Sequence, residues 1–402
     1  MFCQISSLSL QNQNCRQMKL LYILGNIINK AGVERIMTQK INYLAEIDCD
    51  VSLLTTDQMG KPVSFPLSNK VNYISVNAPI PSRTEYSFLK WLFLFYRSRS
   101  IYKETINRTI EDYRPDIIIC TTYSFDVLDI LTDICLKKGV KLVIESHIEQ
   151  TNVFMRPRLA YNPLLELYGK HHDIHILNHI RKGAKLVCLT NEDMKSWRQL
   201  KVNNVCVIPN MITIRPPKTI DYSSKRAIAV GRYSDQKGFD MLIKVWGRLS
   251  KKYSDWHLYI FGNEDRSDYE KMAKEEKCHE TCHCMPVTED IATEYEKSSI
   301  FVMSSRYEGM PLALIEAMSS GLACVSYNCP NGPADIINDG IDGLLAKNGD
   351  IDDLEAKMEK LISNETLRQE LGTTAKKNIK RYRPEAIMQQ NMSLYKQILN
   401  IA

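Results

Sequence analysis

Two glutamates, Glu308 and Glu316, lie eight residues apart between two apolar runs and are the first candidates for chemistry. We interpret Pro311 to Ser320 as a helix, because proline suits a first helical turn and Gly321 suits the residue beyond the last. A rise of ~1.5 Å per helical residue puts the two backbones roughly 12 Å apart. At that separation the carboxylates cannot serve one bond as acid and base. We expect them to bind different parts of one elongated ligand, the alternative being two solvated charges beside an ordinary helix.

Two cations, Arg232 and Lys237, follow an earlier apolar run and lie five residues apart. Gly231 ends that run, which we interpret as a strand, and a polar loop carries both cations. An arginine offers a planar fork and a lysine a point charge, and the two together can close on a diphosphate. A solvated basic loop is the alternative, but the position at the carboxyl end of a strand favours the diphosphate.

The first half of the chain offers two more candidates at strand ends. The apolar run at 19–24 leads into a loop that ends near Gly32, and an amphipathic helical pattern follows. The N–H groups at such a helix start suit a phosphate, although a plain packing turn explains Gly32 equally well. His147 follows the run KLVIE at 141–145, where ligands of parallel sheets gather, the alternative being a structural histidine.

Strand and helix patterns alternate through both halves, which predicts parallel sheets with helices on both faces, an α/β fold. Residues 211–223 interrupt the alternation with proline, serine and no periodicity, and we interpret them as a linker. The expected domains are therefore 18–210 and 224–383, followed by a helical tail at 384–402. The polar residues 1–17 are interpreted as an extension outside the fold.

Composition indicates a soluble globular protein of about two domains, since 44% of the 402 residues are hydrophobic and 25% are charged. The start does not have the pattern of a signal peptide, and no apolar run reaches the ~20 residues that span a bilayer. The twelve dispersed cysteines are typical of reduced thiols, so we expect a cytoplasmic protein. Residues 1–206 contain 26 Lys and Arg against 19 Asp and Glu, an excess too small to indicate nucleic-acid binding.

Residues 86–103 combine aromatic, leucine and basic side chains. Such a helix can lie in a membrane interface, with its rings at headgroup level and its cations on anionic lipid. The alternative is a core helix with a basic end. The first interpretation predicts peripheral contact with the inner face of the cytoplasmic membrane.

Three groups of side chains contain potential metal ligands, and we expect none of the three to bind a metal. Asp48 and Asp50 flank a loop that leads into a strand, and the cysteines and histidines at 278–284 lack a second pair at zinc-finger distance. The third group is a polar helix face with His171, His175 and His179. No metal site is therefore predicted.

Several short motifs follow one another along the chain in the same order as in one known protein family. The first half has AGVER at 31–35, His147, LVCLTNEDM at 186–194 and IPN at 208–210. The second half has the Gly231 to Gly238 loop, LYIFGNE at 258–264, the Glu308 to Glu316 segment and NGPADIINDGIDGLL at 331–345. The chain thus resembles the retaining glycosyltransferases of family 4, the group 1 glycosyl transferases, which have the GT-B fold.

The resemblance implies two doubly wound, Rossmann-like domains that face each other across a cleft, with a nucleotide-sugar held mainly by the second. Carried over by position, Arg232 and Lys237 neutralise the leaving diphosphate. Glu308 holds the transferred sugar, Glu316 accepts hydrogen bonds from the ribose, and His147 lies beside the sugar. The backbone around Val287 is expected to read the base, and Gly32 is expected to close the loop of the first domain over the phosphates. The other residues expected at the donor are Gly231, Gly309, Met310, Pro311 and Leu312.

The resemblance also implies that the tail at 384–402 crosses back to the first domain and that no cofactor or divalent metal is needed. The chain departs from the family pattern in two places. Ala31-Gly32 stands where two glycines are usual, and Gly262-Asn263-Glu264 stands where Gly-x-Gly is usual. Alanine is small enough for the first loop, whereas the second change argues against a nucleotide contact by Asn263 or Glu264.

The expected reaction is the transfer of a hexose or N-acetylhexosamine, with retention, from a nucleotide-sugar to a saccharide or a polyprenyl-diphosphate-linked saccharide. UDP is the first expectation for the nucleotide and GDP the second, and surface polysaccharide assembly is the expected context. A non-catalytic binding subunit of the same fold and a sugar-nucleotide epimerase remain as alternatives. A phosphorylase is disfavoured, because no lysine lies in a pyridoxal-binding context.

Overall fold

The computed structural model describes residues 17–29, 31–47, 49–76, 79, 86–121, 127–147 and 163–401. The extension expected at 1–17 lies outside the described residues except for Gln17, and Asp48 lies outside them too. Within the described ranges, no helix is long and apolar enough to cross a bilayer.

The N-terminal half contains a sheet of parallel strands, β1 (Lys19–Leu24), β2 (Asp50–Thr55), β3 (Asn72–Ser75), β4 (Ile117–Thr121), β5 (Lys141–Glu145), β6 (Ala184–Cys188) and β7 (Val205–Val207). Its spatial order is β3-β2-β1-β4-β5-β6-β7. The central strands are covered on both faces, which explains their continuous apolar sequences. The described helices of this half are α1 (Gly32–Glu46), α2 (Phe88–Tyr113), α3 (Leu128–Lys138), α4 (Pro163–Gly183) and α5 (Asn191–Gln199).

The C-terminal half repeats this plan with β8 (Arg226–Val230), β9 (His257–Phe261), β10 (Cys282–Met285), β11 (Ile300–Met303), β12 (Ala323–Asn328) and β13 (Leu344–Lys347). These strands are parallel and follow the order β10-β9-β8-β11-β12-β13. The helices are α6 (Phe239–Leu249), α7 (Ser267–Glu275), α8 (Ile291–Glu296), α9 (Leu312–Ser320), α10 (Pro333–Ile336), α11 (Ile351–Ile362), α12 (Glu365–Asn378) and α13 (Pro384–Leu399), with 3₁₀ turns at Asp235–Lys237 and Ile379–Tyr382.

Both sheets confirm the predicted α/β class and the doubly wound plan. In each sheet the chain winds outward in one direction and then returns to the centre to wind in the other, so the order reverses between β1 and β4 and between β8 and β11. Loops that leave two such neighbouring strands in opposite directions open a crevice at the carboxyl ends of the strands. The helix expected from Pro311 begins at Leu312 and ends at Ser320.

The C-terminal helix α13 packs against the N-terminal half. Its buried residues Ile387, Met388, Leu394 and Tyr395 form one apolar stripe. The Tyr395 hydroxyl lies 3.1 Å from the Tyr22 hydroxyl of β1, so the last helix contacts the first strand. One hydrophobic cluster accordingly contains residues of both halves.

Candidate active site

The loops after β8 and β11 bring the predicted donor residues of the C-terminal half together. These strands are neighbours at the point where the sheet reverses its order. The loop after β8 carries Gly231, Arg232 and Lys237, and the loop after β11 carries Glu308. The candidate site therefore lies at the crevice that this topology creates.

Lys237 and Glu308 form a largely buried ion pair in this crevice. The Lys237 ammonium donates to Oε1 of Glu308 at 2.7 Å, and their side chains are 18% and 7% exposed. The Ser305 hydroxyl donates to the same oxygen at 2.6 Å. Gly231 makes room for the lysine stem, since a Cβ at this position would lie 2.9 Å from Cδ of Lys237. A carboxylate and an ammonium are thus held side by side.

Arg232 lies at the rim, half exposed and apart from that pair. Its guanidinium donates to Oε1 of Gln236 at 3.2 Å and lies 3.7 Å from a carboxylate oxygen of Glu264. Glu264 is exposed, and an exposed ion pair restrains the guanidinium only weakly. The side chain can therefore turn toward an anion in the crevice.

Glu316 pairs with a residue of the opposite half. Its Oε1 accepts from Arg35 of α1 at 3.0 Å and also from the Thr213 hydroxyl of the linker. Burial raises the pKa of Glu316 above its ordinary value, while Arg35 and the Thr213 hydrogen bond act in the opposite direction. The carboxylate expected at the ribose therefore also joins α1, the linker and α9.

The loops of the two halves meet at other predicted donor residues. A Cβ at Gly32 would lie 2.9 Å from Cδ1 of Leu312, so this glycine permits close contact between the start of α1 and the start of α9. The backbone N–H of Asn210 donates to Sδ of Met310 at 3.2 Å. Gly309 and Pro311 flank Met310, so the whole segment lies against the N-terminal half and the linker.

His147 lies just after β5 and belongs to a buried group of charges. Its Nε2 lies 3.2 Å from Oε2 of Glu145, whose Oε1 accepts from Lys40 at 2.5 Å. Burial alone would raise the pKa of Glu145, but the neighbouring Lys40 ammonium and His147 lower it to about 2. The described hydrogen bond of His147 stays within the N-terminal half.

Val287 lies two residues beyond β10 and is 62% exposed. It is available to a ligand at the carboxyl edge of the C-terminal sheet. Elsewhere, His175 and His179 face α3, where they lie 3.4 Å from Asp129 and 3.3 Å from Asp133. The described part of the chain contains no cluster of three or more potential metal ligands.

Comparison with known proteins identifies the family. Residues 210–378 match the family model of Glycosyl transferases group 1. This part of the chain belongs to that family, and the chain is a glycosyltransferase. An uncharacterized glycosyltransferase of Haemophilus influenzae is 28% identical over 375 residues, which cover 92% of this chain and 98% of that protein. The amylovoran biosynthesis glycosyltransferase AmsD of Erwinia amylovora is 25% identical over 384 residues, covering 92% of this chain and 98% of that protein.

Solved structures show that this glycosyltransferase has the GT-B fold. The crystal structure of a Staphylococcus aureus TarM variant superposes with a TM-score of 0.72 at 17% identity, covering 94% of this chain and 100% of that one. At this identity the likeness concerns the fold alone. It confirms the predicted arrangement of two doubly wound domains.

Sequence reasoning missed the charged and polar residues that surround Glu316 and His147 in this glycosyltransferase. They are the partners of Glu316 and the residues next to His147, namely Arg35, Thr213, Lys40 and Glu145. Only Lys40 carried a signal, because it follows Met37 and precedes Ile41 on the apolar face of α1. A lysine in such a position requires a buried counter-charge. Arg35 lies in the first turn of α1, where an arginine needs no such explanation.

Proposed function

We propose that this glycosyltransferase moves a hexose or N-acetylhexosamine from a UDP-sugar to a saccharide or polyprenyl-diphosphate-linked saccharide, with retention and without a divalent metal. The observation that carries the proposal is the Lys237–Glu308 pair at the crevice between the loops of β8 and β11. A cation and a hydroxyl-binding carboxylate side by side match the two ends of a sugar-phosphate bond.

The leaving diphosphate is the part of the reaction that requires fixed positive charge. Breaking the bond between the anomeric carbon and the phosphate builds negative charge on the departing oxygen. Lys237 is already oriented by Glu308, and Arg232 lies at the rim with weak partners. Preorganised cations in a crevice stabilise such charge more than water does, since they need no reorientation.

Glu308 suits a sugar-binding role. Its Oε1 is occupied by Lys237 and Ser305, whereas Oε2 accepts no hydrogen bond from the described residues. The second oxygen is thus available to sugar hydroxyls.

We propose front-face transfer, in which the leaving phosphate oxygen helps to accept the proton of the acceptor. A covalent sugar on Glu308, trapped and seen by mass spectrometry, would refute this mechanism.

The choice of UDP rests on one similarly folded protein, since the TarM variant was crystallised with UDP. Val287 is exposed just beyond the carboxyl end of β10. The family resemblance implies that the backbone at this position contacts the base of the nucleotide. The context of surface polysaccharide assembly rests on the named role of AmsD in amylovoran biosynthesis.

We also propose that α2 brings the enzyme to the inner face of the cytoplasmic membrane. Phe93 and Tyr96 on this helix are 66% and 63% exposed, and Lys90 and Arg97 lie beside them. Rings and cations together favour an anionic lipid surface. Flotation with anionic vesicles tests this: Phe93→Ser/Tyr96→Ser should lose binding, and Ile341→Ser, which removes an exposed apolar residue of the other half, should retain it.

The donor is tested by screening nucleotide-sugars for a concentration-dependent rise in Tm, since a ligand bound only by the folded state stabilises it. Donors that bind are then assayed for transfer with Lys237→Ala and Glu308→Ala, each of which should greatly slow it. A donor that binds without being consumed would identify a binding subunit instead. A donor sugar that changes configuration without forming a glycoside would identify an epimerase.

A further inference from the structure

A charged pair lies inside the apolar core of the N-terminal half. Lys40 Nζ contacts Glu145 Oε1 at 2.5 Å, and the two side chains are 7% and 2% exposed. Around them lie the apolar side chains of α1 and the Tyr22 and Tyr395 pair. Removing two charges from water costs about as much as their attraction returns, so such a pair is weak evidence of a stabilising role. A charged pair in this position therefore needs a reason other than stability.

The second oxygen of Glu145 supplies that reason. Oε2 lies 3.2 Å from Nε2 of His147, so each carboxylate oxygen has one partner. Glu145 ends β5 and His147 follows two residues later. Glu145 contacts both His147 and Lys40 of α1, so the three side chains lie together on the face of the sheet that α1 covers. Lys40 therefore holds the carboxylate, and the carboxylate holds the ring.

The charge of Glu145 determines which ring nitrogen carries the proton. Lys40 and His147 lower the pKa of Glu145 to about 2 in spite of burial, so the group is a carboxylate at neutral pH. A carboxylate only accepts hydrogen bonds, so Nε2 of His147 must be the donor. In a neutral imidazole the other nitrogen, Nδ1, is then an acceptor. No described residue hydrogen-bonds Nδ1.

We propose that Lys40 and Glu145 are positioning residues that hold His147 in its Nε2–H tautomer, with Nδ1 presented to a hydroxyl of the donor sugar. β5 pairs with β4, one of the two strands at the reversal, and His147 follows the carboxyl end of β5, the edge of such sheets where ligands bind. A sugar hydroxyl donates to Nδ1, and this hydrogen bond orients the sugar over the acceptor. The kinetic part of this inference rests on the proposed transfer reaction.

The test compares two charge-free variants that differ only in the hydrogen-bonding capacity of residue 145. Lys40→Met/Glu145→Met removes the ion pair and every acceptor, whereas Lys40→Met/Glu145→Gln retains an amide oxygen for Nε2–H. Replacing a buried ion pair by side chains of similar volume is often tolerated, so both variants should fold. The Tm of each variant is measured as well, so that a difference in stability between the two is detected.

The expected kinetic result is a loss in the methionine variant only. We expect its kcat to fall about 10- to 100-fold, by analogy with the loss of the partner that orients a metal-bound histidine. The donor KM should change little, because the nucleotide is bound by the other half. The glutamine variant should keep most of the wild-type kcat. Equal kcat values in both variants would overturn the proposal.

The tautomer is read directly from the ¹⁵N resonances of the His147 ring in histidine-labelled protein, assigned against His147→Gln. Wild type and the glutamine variant should show Nε2–H, and the methionine variant a mixture of tautomers. Wild-type His147 in the Nδ1–H form would refute the inference. This measurement needs no donor, so it remains decisive even if the wild-type protein transfers no sugar and the proposed function fails.

A control removes a second ion pair, one that is partly buried. Arg226 of β8 pairs with Glu294 of α8, both side chains are 16% exposed, and Arg226 begins its strand at the end opposite the crevice. Arg226→Met/Glu294→Met should leave kcat and the His147 resonances unchanged. A similar loss of kcat there would mean that any buried pair matters only through stability.

Discussion

The two glutamates of the crevice differ in where their cations come from. Glu308 pairs with Lys237, and both residues follow adjacent strands of the C-terminal sheet. Glu316 pairs with Arg35, which belongs to the N-terminal half. The first pair is thus set by the fold of one half, whereas the second requires the two halves to be in contact. The difference suggests that Glu308 concerns the chemistry and Glu316 concerns donor binding coupled to closure.

The largest effect is expected for Lys237→Ala. Removing one preorganised donor from a charge-stabilising site costs roughly 2.7–4 kcal/mol of transition-state stabilisation, so kcat should fall about 100- to 1,000-fold. Steady-state transfer at saturating donor measures this. Lys244→Ala, an exposed lysine on α6, is the matched control and should leave kcat unchanged. A kcat within threefold of wild type in Lys237→Ala would remove the lysine from the leaving-group role.

Arg35→Ala should weaken the contact between the halves and steepen the dependence of stability on pH. Burial already raises the pKa of Glu316, and the loss of Arg35 raises it further. The folded state then binds a proton that the unfolded state has lost, so stability falls as pH rises from the ordinary carboxyl value through the raised one. We expect the free energy of unfolding at neutral pH to drop by about 1–3 kcal/mol.

Denaturant unfolding at several pH values between about 4 and 8 measures this change. The donor KM should rise in the same variant, because Glu316 loses the group that orients it. Arg215→Ala, an exposed arginine of the linker, serves as control. Parallel stability profiles for wild type and Arg35→Ala would show that the ion pair does not couple the halves.

Thr213→Val should have a smaller effect on the same carboxylate. Valine retains the shape of threonine but can neither donate to Glu316 nor accept from Arg35, so two hydrogen bonds to charged groups are lost. Such a bond contributes about 1.5–3 kcal/mol, and Arg35 remains to compensate part of it. Donor KM is the measurement, with Thr219→Val in the exposed part of the linker as control. An unchanged KM would show that Arg35, and not Thr213, orients the Glu316 carboxylate for donor binding.

Tyr395→Phe should have the smallest effect. The Tyr395 hydroxyl contacts only the Tyr22 hydroxyl among the described residues, and phenylalanine fills the same space. We expect a loss of about 1 kcal/mol in the free energy of unfolding, the usual contribution of one neutral hydrogen bond. Donor KM and kcat should stay at their wild-type values. A large loss of transfer would instead tie α13 to catalysis.

Most of the fold could be predicted, because parallel strands have continuous apolar sequences and polar loops. The apolar runs at 19–24 and 141–145 correspond to β1 and β5, and the helix predicted from Pro311 corresponds to α9. Residue types at the ends of β8 and β11 also pointed to Lys237 and Glu308. The pairing of these two with each other could not be predicted, since strand order decides which loops are neighbours.

The sequence by itself determined the α/β alternation, the strand ends that carry Gly231, Lys237 and His147, and the family. The tertiary structure decided the partners of the buried carboxylates of Glu316 and Glu145. Arg35 and Glu316 are 281 residues apart in the chain, and Lys40 and Glu145 are 105 apart. The physical reason is that a helix pattern fixes only which face is buried. Which charge that face meets depends on how helices pack on sheets and how the two halves contact each other.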